Sequence, residues 1–381
     1  MAAPEPPASP LTVVQLLPAL ESGGVERSTL EIVQALVEAG HRAIVVSRGG
    51  RLVPRLRELG GEHFPLDIGR KSPLTFRHAL ALRRLLLRER VDVVHARSRL
   101  PAWVGALALH SLSPSRRPHW VTTVHGLNSP SRYSAVMTRG ERVICVSQTV
   151  REYVLRHYPQ TDPRRLRVIE RGIDPARFPR VPPHDPDARA WAAGLHPQLG
   201  GAGPLLLLPG RGTRLKGHAD ALVLLARLRA DGFDARLWLP GAREGGREAY
   251  IGELEREAAT LGVAEVVAFT VPTDAIARAY AASDLVLQLS RKPEAFGRTV
   301  LEALSVGRPL LGWNHGGVGE LLARWQPDGA VAAFDIDALH RAGHELLTHP
   351  PVPPATMPNS LRAMQEHTLA VYAELVDERR R

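Results

Sequence analysis

Two glutamates stand eight positions apart in the segment Glu294-Ala-Phe-Gly-Arg-Thr-Val-Leu-Glu302, directly after an apolar run at 284–289. Glu294 is expected in the loop that leaves a strand, and Gly297 would let backbone approach a ligand closely. A helix beginning near Arg298 would offer free N–H groups and a positive dipole end to an anion. This combination suits a sugar nucleotide, because the amides could bind its phosphates and the carboxylates could accept hydrogen bonds from its sugar hydroxyls. Taken alone, the two glutamates would also fit a helix-start charge and a solvated face residue.

A second segment, 205–217, combines a buried strand with a basic, glycine-bearing loop and the start of a helix. Arg211 and Lys216 lie in that loop, where a guanidinium fork and an ammonium point charge could converge on a diphosphate. The segment is not a P-loop, because GxxxxGK[ST] is absent, and no GxGxxG fingerprint follows the first strand. The alternative reading is a pair of solvated cations.

The elements that must position these residues alternate between short apolar runs and helical patterns. Such alternation is typical of parallel sheets covered on both faces. In the N-terminal half, the strands are predicted at Leu11–Leu17, Ala43–Val46, Val91–His95, Trp120–Val124, Arg142–Val146 and Leu166–Ile169. In the C-terminal half, they are predicted at Leu205–Leu208, Ala235–Leu239, Val266–Phe269, Leu285–Leu289 and Pro309–Gly312. The helices are predicted at Val25–Ala39 and near 217–230, 247–261, 274–282, 299–306, 317–324 and 359–378.

A proline- and glycine-rich stretch between Asp174 and Pro204 is the best candidate for an interdomain connection. We therefore expect an α/β protein with two Rossmann-like domains, residues 1–178 and residues 179–358, with a last helix at about 359–381. In such sheets ligands bind beyond the carboxyl ends of the strands, so the loops that follow them should carry the chemistry.

Four features occur in order along the chain: two Rossmann-like halves, Gly23-Gly24 after the first strand, Arg211-x4-Lys216, and Glu294-x7-Glu302. Together they resemble a GT-B glycosyltransferase of family 4, whose retaining members carry the E-x7-E motif. The segment 168–174 resembles the family's hinge, with Arg171 where Asn is common, and 312–320 resembles its glycine loop. The resemblance implies two domains facing across a cleft, with the C-terminal helix crossing back to the N-terminal, acceptor-binding domain.

The resemblance also implies the roles of individual residues. Glu294 would hold hydroxyls of the donor sugar, Glu302 would bind the ribose hydroxyls, and charge would stabilise the departing diphosphate in place of a metal ion. No metal or other cofactor is expected, and the donor would be a UDP- or GDP-sugar. The donor-binding residues implied are Gly23, Gly24, Arg211, Lys216, Phe296, Gly297, Arg298, Thr299 and Glu302.

His125 follows a predicted strand of the N-terminal half in the segment Thr-Val-His-Gly. A lone histidine after a strand is most often structural. Because its position matches the cleft histidine of the resembled family, a catalytic role is expected beside Glu294. We expect it to orient the sugar or the acceptor and not to act as a nucleophile.

The net charge of +10 is concentrated in the N-terminal half. Residues 1–170 carry 25 Arg or Lys and 14 Asp or Glu, whereas residues 171–381 carry 24 and 25. Such asymmetry suggests an anionic partner, although compositional drift towards arginine is the alternative. The helix predicted at 77–90 places Arg77, Arg84 and Arg88 on one face, which would suit anionic lipid headgroups. A core helix with a solvated charged face explains the pattern as well.

A third basic group, Arg97, Arg99 and Arg132, could read phosphates on the acceptor. Nucleic acid is a weaker partner, because only 5% of residues are aromatic and no known binding motif is present. One cysteine, Cys145, excludes an internal disulfide and fits a reducing cytoplasm. No apolar run approaches the ~18 residues of a membrane span, and Met1–Pro10 shows no signal peptide.

The sequence therefore predicts a retaining glycosyltransferase that acts on a cell-envelope glycan, lipopolysaccharide core or another lipid-linked saccharide. It is expected in the cytoplasm or at the inner face of the cytoplasmic membrane. Two alternatives remain: a GT-B sugar-nucleotide epimerase, which needs no acceptor, and a catalytically silent nucleotide-sugar-binding protein.

Overall fold

A computed structural model describes residues 10–21 and 23–380. The chain divides into two compact units: unit 1 is Met1–Arg171 with Leu361–Arg381, and unit 2 is Gly172–Ser360. Except for Pro10, the segment examined for a signal peptide lies outside the described residues. No helix of the described part of the chain is both long and apolar enough to cross a membrane.

Unit 1 is built on a seven-stranded, wholly parallel sheet with the order β3-β2-β1-β4-β5-β6-β7. Its central strands are almost completely buried, because helices cover both faces of the sheet. The strands are β1 Thr12–Leu16, β2 Arg42–Ser47, β3 Glu62–Pro65, β4 Val93–Ala96, β5 His119–Val124, β6 Arg142–Cys145 and β7 Leu166–Val168.

Six helices belong to unit 1, counted over its described residues: α1 Gly24–Glu38, α2 Val53–Glu58, α3 His78–Arg88, α4 Arg99–His110, α5 Gln148–His157 and α13 Leu361–Arg380. The C-terminal helix α13 packs into the core of this unit, as predicted. Its Met364 and Tyr372 are buried among residues of β1 and α1. The Tyr372 hydroxyl also lies 2.6 Å from His95 Nδ1.

Unit 2 contains a six-stranded parallel sheet with the order β10-β9-β8-β11-β12-β13. Its strands are β8 Leu205–Leu207, β9 Arg236–Pro240, β10 Val267–Thr270, β11 Leu285–Gln288, β12 Leu310–Trp313 and β13 Ala330–Val331. Its helices are α6 Pro186–Leu195, α7 His218–Ala230, α8 Glu248–Thr260, α9 Ile276–Ala282, α10 Arg298–Val306, α11 Gly316–Trp325 and α12 Ile336–Thr348. In both units the sheet order reverses beside the first strand, which is the switch point of a doubly wound fold.

The division between the units falls after Arg171 and not after residue 178. Residues 172–181 attach to unit 2 through backbone and ring contacts. The Val181 amide donates to the Val306 carbonyl at 3.0 Å, and the ring of Phe178 lies 6.2 Å from that of Tyr280. The proline-rich stretch expected as a connection therefore also supplies α6 to the second unit.

Several elements differ from the sequence-based expectation, and among them are the helices α6 and α12, which were not predicted. The edge strands β3 and β13 were not predicted, because Glu-His-Phe-Pro and a two-residue strand carry no apolar run. The helix expected at 77–90 begins at His78, after a 3₁₀ turn at Pro73–Arg77, and ends at Arg88. Arg90 adopts a left-handed backbone with φ 47°, so it cannot continue the helix.

Candidate active site

The loop that leaves β11 leads directly into α10 in unit 2, as the sequence predicted. Gly297 precedes the helix with φ 115°, in the left-handed region that favours glycine. A Cβ on Gly297 would lie 3.0 Å from the Val318 side chain, so this close approach also requires glycine. Arg298 and Thr299 are the first two residues of α10, and Phe296 is buried before it.

Glu294 is held in this loop by two side chains from different parts of unit 2. Lys216 Nζ lies 2.7 Å from Glu294 Oε1, and the Ser290 hydroxyl donates to the same oxygen at 2.5 Å. The carboxylate remains 27% exposed, so it is fixed and still reachable by a ligand. Lys216 comes from the loop after β8, and the structure thereby joins the two motifs that the sequence presented separately.

The local electrostatics keep Glu294 ionised. Burial alone would raise the pKa of its carboxyl group. The Lys216 ammonium and the hydrogen bonds from Lys216 and Ser290 outweigh burial and hold that pKa below its ordinary value. Glu294 is therefore a hydrogen-bond acceptor over the whole neutral range.

A second helix N-terminus, that of α11, meets the same loop. The Gly317 amide donates to the Glu294 carbonyl at 2.8 Å. A Cβ on Gly316 would lie 2.6 Å from that carbonyl oxygen, and a Cβ on Gly317 would lie 2.3 Å from the Phe296 carbonyl oxygen. The two glycines thus allow α10 and α11 to direct their positive ends towards one region, which favours an anionic group there.

Arg211 and Glu302 complete the predicted donor-binding set. Arg211 is exposed in the loop after β8 and forms no ion pair with any described residue. Glu302 is partly buried one turn into α10, where its Oε2 accepts from the Tyr280 hydroxyl at 2.8 Å. The structure brings Lys216 and Glu294 into contact but records no such contact for Arg211.

Three residues of this region were not singled out from the sequence. Ser290 anchors Glu294, and His315 Nε2 lies 2.8 Å from the Ser290 carbonyl oxygen. Arg291 binds Asp220 through two hydrogen bonds of 2.7 and 2.8 Å. Burial raises the pKa of Asp220, although Arg291 opposes that rise. His315 lies in the glycine loop at 312–320, so the resemblance could have indicated it. Nothing in the local sequence indicates a role for Ser290.

In unit 1, His125 follows β5 and contacts Arg171, which lies in the segment 168–174 that resembles the family's hinge. The Arg171 guanidinium donates to His125 Nδ1. Because a guanidinium can only donate, Nδ1 must accept, and the proton of the neutral ring is therefore on Nε2. That Nε2 is buried and has no hydrogen-bond partner among the described residues. Burial and the nearby Arg171 and Arg97 charges hold the pKa of His125 well below its ordinary value.

Arg97 is 3% exposed, and it is held inside unit 1. Its guanidinium donates to Gln15 Oε1 at 2.8 Å and to the Ser28 hydroxyl at 2.7 Å. The Arg171 guanidinium donates to the same hydroxyl at 2.5 Å. These contacts place two arginines and His125 in one buried polar cluster at the carboxyl edge of the sheet.

Arg99 and Arg132 lie nearer to solvent. The Arg99 guanidinium donates to the Ser134 hydroxyl at 3.3 Å and lies 5.4 Å from the centre of the Tyr133 ring. Arg132 is exposed in the loop between β5 and β6. A cavity of about 270 Å³ opens here, and it is lined by residues that include Arg97, Arg99, His125, Tyr153 and Tyr158.

Gly23 and Gly24 form the start of α1, one to two residues before the predicted start at Val25. Gly23 has φ 150°, and a Cβ on Gly24 would meet nothing within 4 Å. A Cβ on Gly23 would lie 2.7 Å from Glu26 Oε2, so the Glu26 carboxylate lies against the helix start at Gly23. Glu26 lies in the first turn, where a carboxylate is favourable.

The three arginines of the predicted membrane-facing stripe, Arg77, Arg84 and Arg88, are all exposed. Large apolar side chains are exposed beside them: Leu74 is 68% exposed, Phe76 39% and Leu80 62%. Within the described part of the chain, no group of His, Cys, Asp or Glu side chains could hold a metal ion.

Two family models match consecutive parts of the chain. "Glycosyltransferase Family 4" matches residues 22–177, and "Glycosyl transferases group 1" matches residues 198–363. Among curated relatives, a glycogen synthase of Mycobacterium tuberculosis is 26% identical over 369 residues, which cover 87% of this chain and 84% of the relative.

Solved structures show the same architecture. A glycosyltransferase from Rickettsia africae superposes with a TM-score of 0.81 at 26% identity, covering 96% of this chain and 99% of the other. Anabaena HepE in complex with UDP and glucose superposes with a TM-score of 0.73 at 19% identity, covering 97% and 98%.

The parallel sheet of each unit and these matches define the chain as an enzyme with the GT-B fold. It belongs to the family 4 glycosyltransferases, as its motifs predicted.

Proposed function

We propose that this enzyme is a retaining glycosyltransferase that takes a sugar from a UDP- or GDP-sugar and transfers it to a hydroxyl of a cell-envelope glycan. The observation that carries the proposal is the Glu294 carboxylate, fixed by Lys216 where two helix N-termini meet. A carboxylate, an ammonium and the N–H groups of helix N-termini are groups that suit a sugar diphosphate.

On the donor side, the amides at the starts of α10 and α11 would bind the diphosphate. Arg211 and Lys216 would add positive charge as the leaving group develops negative charge, which lowers the barrier by preorganised electrostatics. Glu294 would accept from hydroxyls of the transferred sugar, and Glu302 from the ribose. Anabaena HepE, which has this fold, was solved with UDP and glucose, and this supports a nucleotide-sugar donor.

On the acceptor side, the cavity beside His125 is the candidate subsite. The Nε2–H of His125 would donate to an oxygen of the sugar or acceptor, while Arg99 and Arg132 would bind acceptor phosphates. Arg97 is buried against Gln15 and Ser28, so it would act on such a phosphate through its charge and by positioning the cluster. Gly23 and Gly24 would let backbone amides approach the same ligands.

The stripe of Arg77, Arg84 and Arg88 would bring the enzyme to a lipid-linked acceptor such as lipopolysaccharide core. Exposed leucine and phenylalanine side chains next to arginines are what an interfacial segment presents to an anionic bilayer. This supports peripheral binding at the inner face of the cytoplasmic membrane.

The donor is tested by thermal shift with UDP-, GDP- and ADP-sugars. A donor present at about 100 times its Kd should stabilise the protein by about 2.7 kcal/mol and raise the melting temperature. A uniform absence of any shift would contradict the donor assignment.

Glu294→Gln tests the reaction. This variant should bind nucleotide but lose transfer by at least about a hundredfold, whereas Glu345→Gln, at an exposed carboxylate of α12, should behave like the parent. Donor conversion without any acceptor would favour the epimerase, and nucleotide binding without turnover would favour the silent protein.

Membrane binding is tested by co-sedimentation with vesicles. The parent should bind vesicles that contain phosphatidylglycerol more strongly than neutral ones, and Arg77→Gln/Arg84→Gln should weaken this binding. Equal binding to both vesicle types would remove the membrane assignment while leaving the transferase assignment intact.

A further inference from the structure

A second cavity of unit 1 lies far from the candidate acceptor subsite. Its volume is about 480 Å³, and its lining includes Arg90, Arg116, Arg117 and Arg379. The lining residues 115–118 precede β5 and His119 is its first residue, whereas His125 follows the strand. Because the six residues of β5 span about 17 Å, this cavity belongs to the opposite, amino edge of the sheet.

The charges around this cavity are strongly unbalanced. Its four arginines come from the end of α3, the turn before β5, and α13, and none forms an ion pair with a described carboxylate. Asp92 is the one acid among the described lining residues, and its Oδ2 accepts from the Thr12 amide at 2.8 Å. Nearby, Glu141 is engaged by His119 Nδ1 at 2.9 Å.

Two of the four arginines are positioned by backbone carbonyls, and none of the four has a carboxylate within ion-pair distance among the described residues. Arg117 donates to the Leu112 carbonyl at 3.1 Å, Arg379 donates to the Arg117 carbonyl at 2.6 Å, and the buried Arg117 Nε has no partner among the described residues. Arg90 holds a left-handed backbone with φ 47° at the helix-end position where glycine is usual. Four like charges held at one cavity repel each other, and a bound anion would remove that repulsion.

We propose that this cavity binds a small phosphorylated anion, a molecule with a phosphomonoester or diphosphate group. Guanidinium groups match phosphate oxygens with paired hydrogen bonds, and the cavity volume lies in the range of small-molecule sites. The site is separate from the donor and acceptor regions, so its ligand is an additional one and not the substrate pair of the proposed transfer.

The test is a calorimetric titration of the full chain with pyrophosphate at low ionic strength. Arg90→Gln/Arg116→Gln should weaken binding at least about tenfold. The matched control, Arg57→Gln/Arg156→Gln, removes the same charge from exposed helix positions of unit 1 and should bind within about twofold of the parent. Pyrophosphate taken up at the candidate donor site is common to all three proteins, so their difference reports this cavity.

Equal pyrophosphate affinity in the parent and in Arg90→Gln/Arg116→Gln would overturn the proposal, as would equal weakening in the control. Co-sedimentation with phosphatidic acid vesicles distinguishes the source of the phosphate. Vesicle binding that depends on Arg90 and Arg116 would assign a lipid headgroup, and binding of pyrophosphate alone would assign a free phosphorylated metabolite.

Discussion

At the scale of single residues, the Lys216–Glu294 pair couples the chemistry of two loops. The ammonium neutralises part of the site while it keeps the carboxylate ionised and oriented. A donor that binds here would share Lys216 between its diphosphate and Glu294. The two residues therefore cannot be treated as independent, because removing Lys216 would also raise the pKa of Glu294.

Lys216→Met should lower kcat by about a hundredfold, because one preorganised charge for the leaving group is lost. It should also change the pH profile. Lys216 depresses the pKa of Glu294, so the ionised form persists as the pH falls; without Lys216, burial raises that pKa and activity is lost at a higher pH. The pH dependence of kcat/KM measures this shift. Lys292→Met, at an exposed position of the loop that carries Glu294, is the control, and an unshifted acid limb in Lys216→Met would contradict the argument.

His125 gives a second prediction at this scale. With Arg171 donating to Nδ1, the ring should be neutral at pH 7, with its proton on Nε2, because burial and the arginine charges lower the pKa of His125. Arg171→Met should raise the pKa of His125, since a neighbouring positive charge is removed, and should release the tautomer. Nitrogen-15 chemical shifts of the imidazole, assigned with His125→Gln, measure both effects. Protonated Nδ1 in the parent would contradict the assignment.

At the scale of elements, the site depends on two helix starts that glycine allows to approach the 294–297 loop. In Gly317→Ala the new Cβ would lie 2.3 Å from the Phe296 carbonyl oxygen. The start of α11 must then move away, at a cost of about 1–3 kcal/mol. The free energy of donor binding should weaken by more than the free energy of unfolding decreases. Gly252→Ala is the control: its Cβ in α8 would meet no atom closer than 3.5 Å. Nucleotide-sugar titration and urea unfolding measure the two effects, and unchanged donor affinity in Gly317→Ala would contradict this role.

Most elements could be predicted from the sequence because buried parallel strands are apolar runs and their helices are amphipathic. The misses have physical reasons. The edge strands β3 and β13 pair on one side, so nothing demands a continuous apolar run. Arg90, just after the end of α3, has a left-handed backbone that is unusual for arginine, so its residue type does not indicate that the helix ends there.

The site residues could be found by type and motif, but not their contacts. Lys216 and Glu294 are 78 positions apart, and Arg171 and His125 are 46 apart. Only the fold brings such residues together, because each lies in a loop whose direction depends on long-range strand order. Arg97 illustrates the limit: its sequence position fits a ligand-binding loop, yet its guanidinium is turned to Gln15 and Ser28.

At the scale of the whole molecule, the excess of basic residues lies in unit 1, whereas the candidate donor site lies in unit 2. The candidate donor-binding residues of unit 2 lie in a half with nearly balanced charge. The excess lies in unit 1, where exposed arginines occur on α3 and around the second cavity. The excess positive charge therefore lies in the unit for which acceptor, membrane and second-cavity anion binding are proposed, and not in the unit of the candidate donor site.

Buried histidines should make the folded enzyme sensitive to acid, and unit 1 more so than unit 2. Burial lowers the pKa of His95 and His125 in unit 1 and lowers that of His218 in unit 2 to about 4. The unfolded chain, with histidine pKa near 6.5, binds protons that the folded chain excludes, so stability present above that pH is lost as the pH falls. Between about pH 6.5 and 5.5 each such histidine removes up to about 1.4 kcal/mol.

Urea unfolding at about pH 7.5 and 5.5 should therefore show a larger loss in unit 1 than in unit 2. Burial also lowers the pKa of His41 and His63 in unit 1, so among the described residues four histidines there stand against His218 alone in unit 2. Tryptophan probes can separate the units, since Trp103 and Trp120 lie in unit 1, whereas Trp191 and Trp238 lie in unit 2. His218→Gln should remove the pH dependence of unit 2, because the group that excludes the proton is then gone, whereas His349→Gln, at an exposed position, should leave it unchanged. A free energy of unfolding that is constant or rises on acidification would show that these imidazoles are hydrated in the folded state, and it would also remove the basis for a neutral His125.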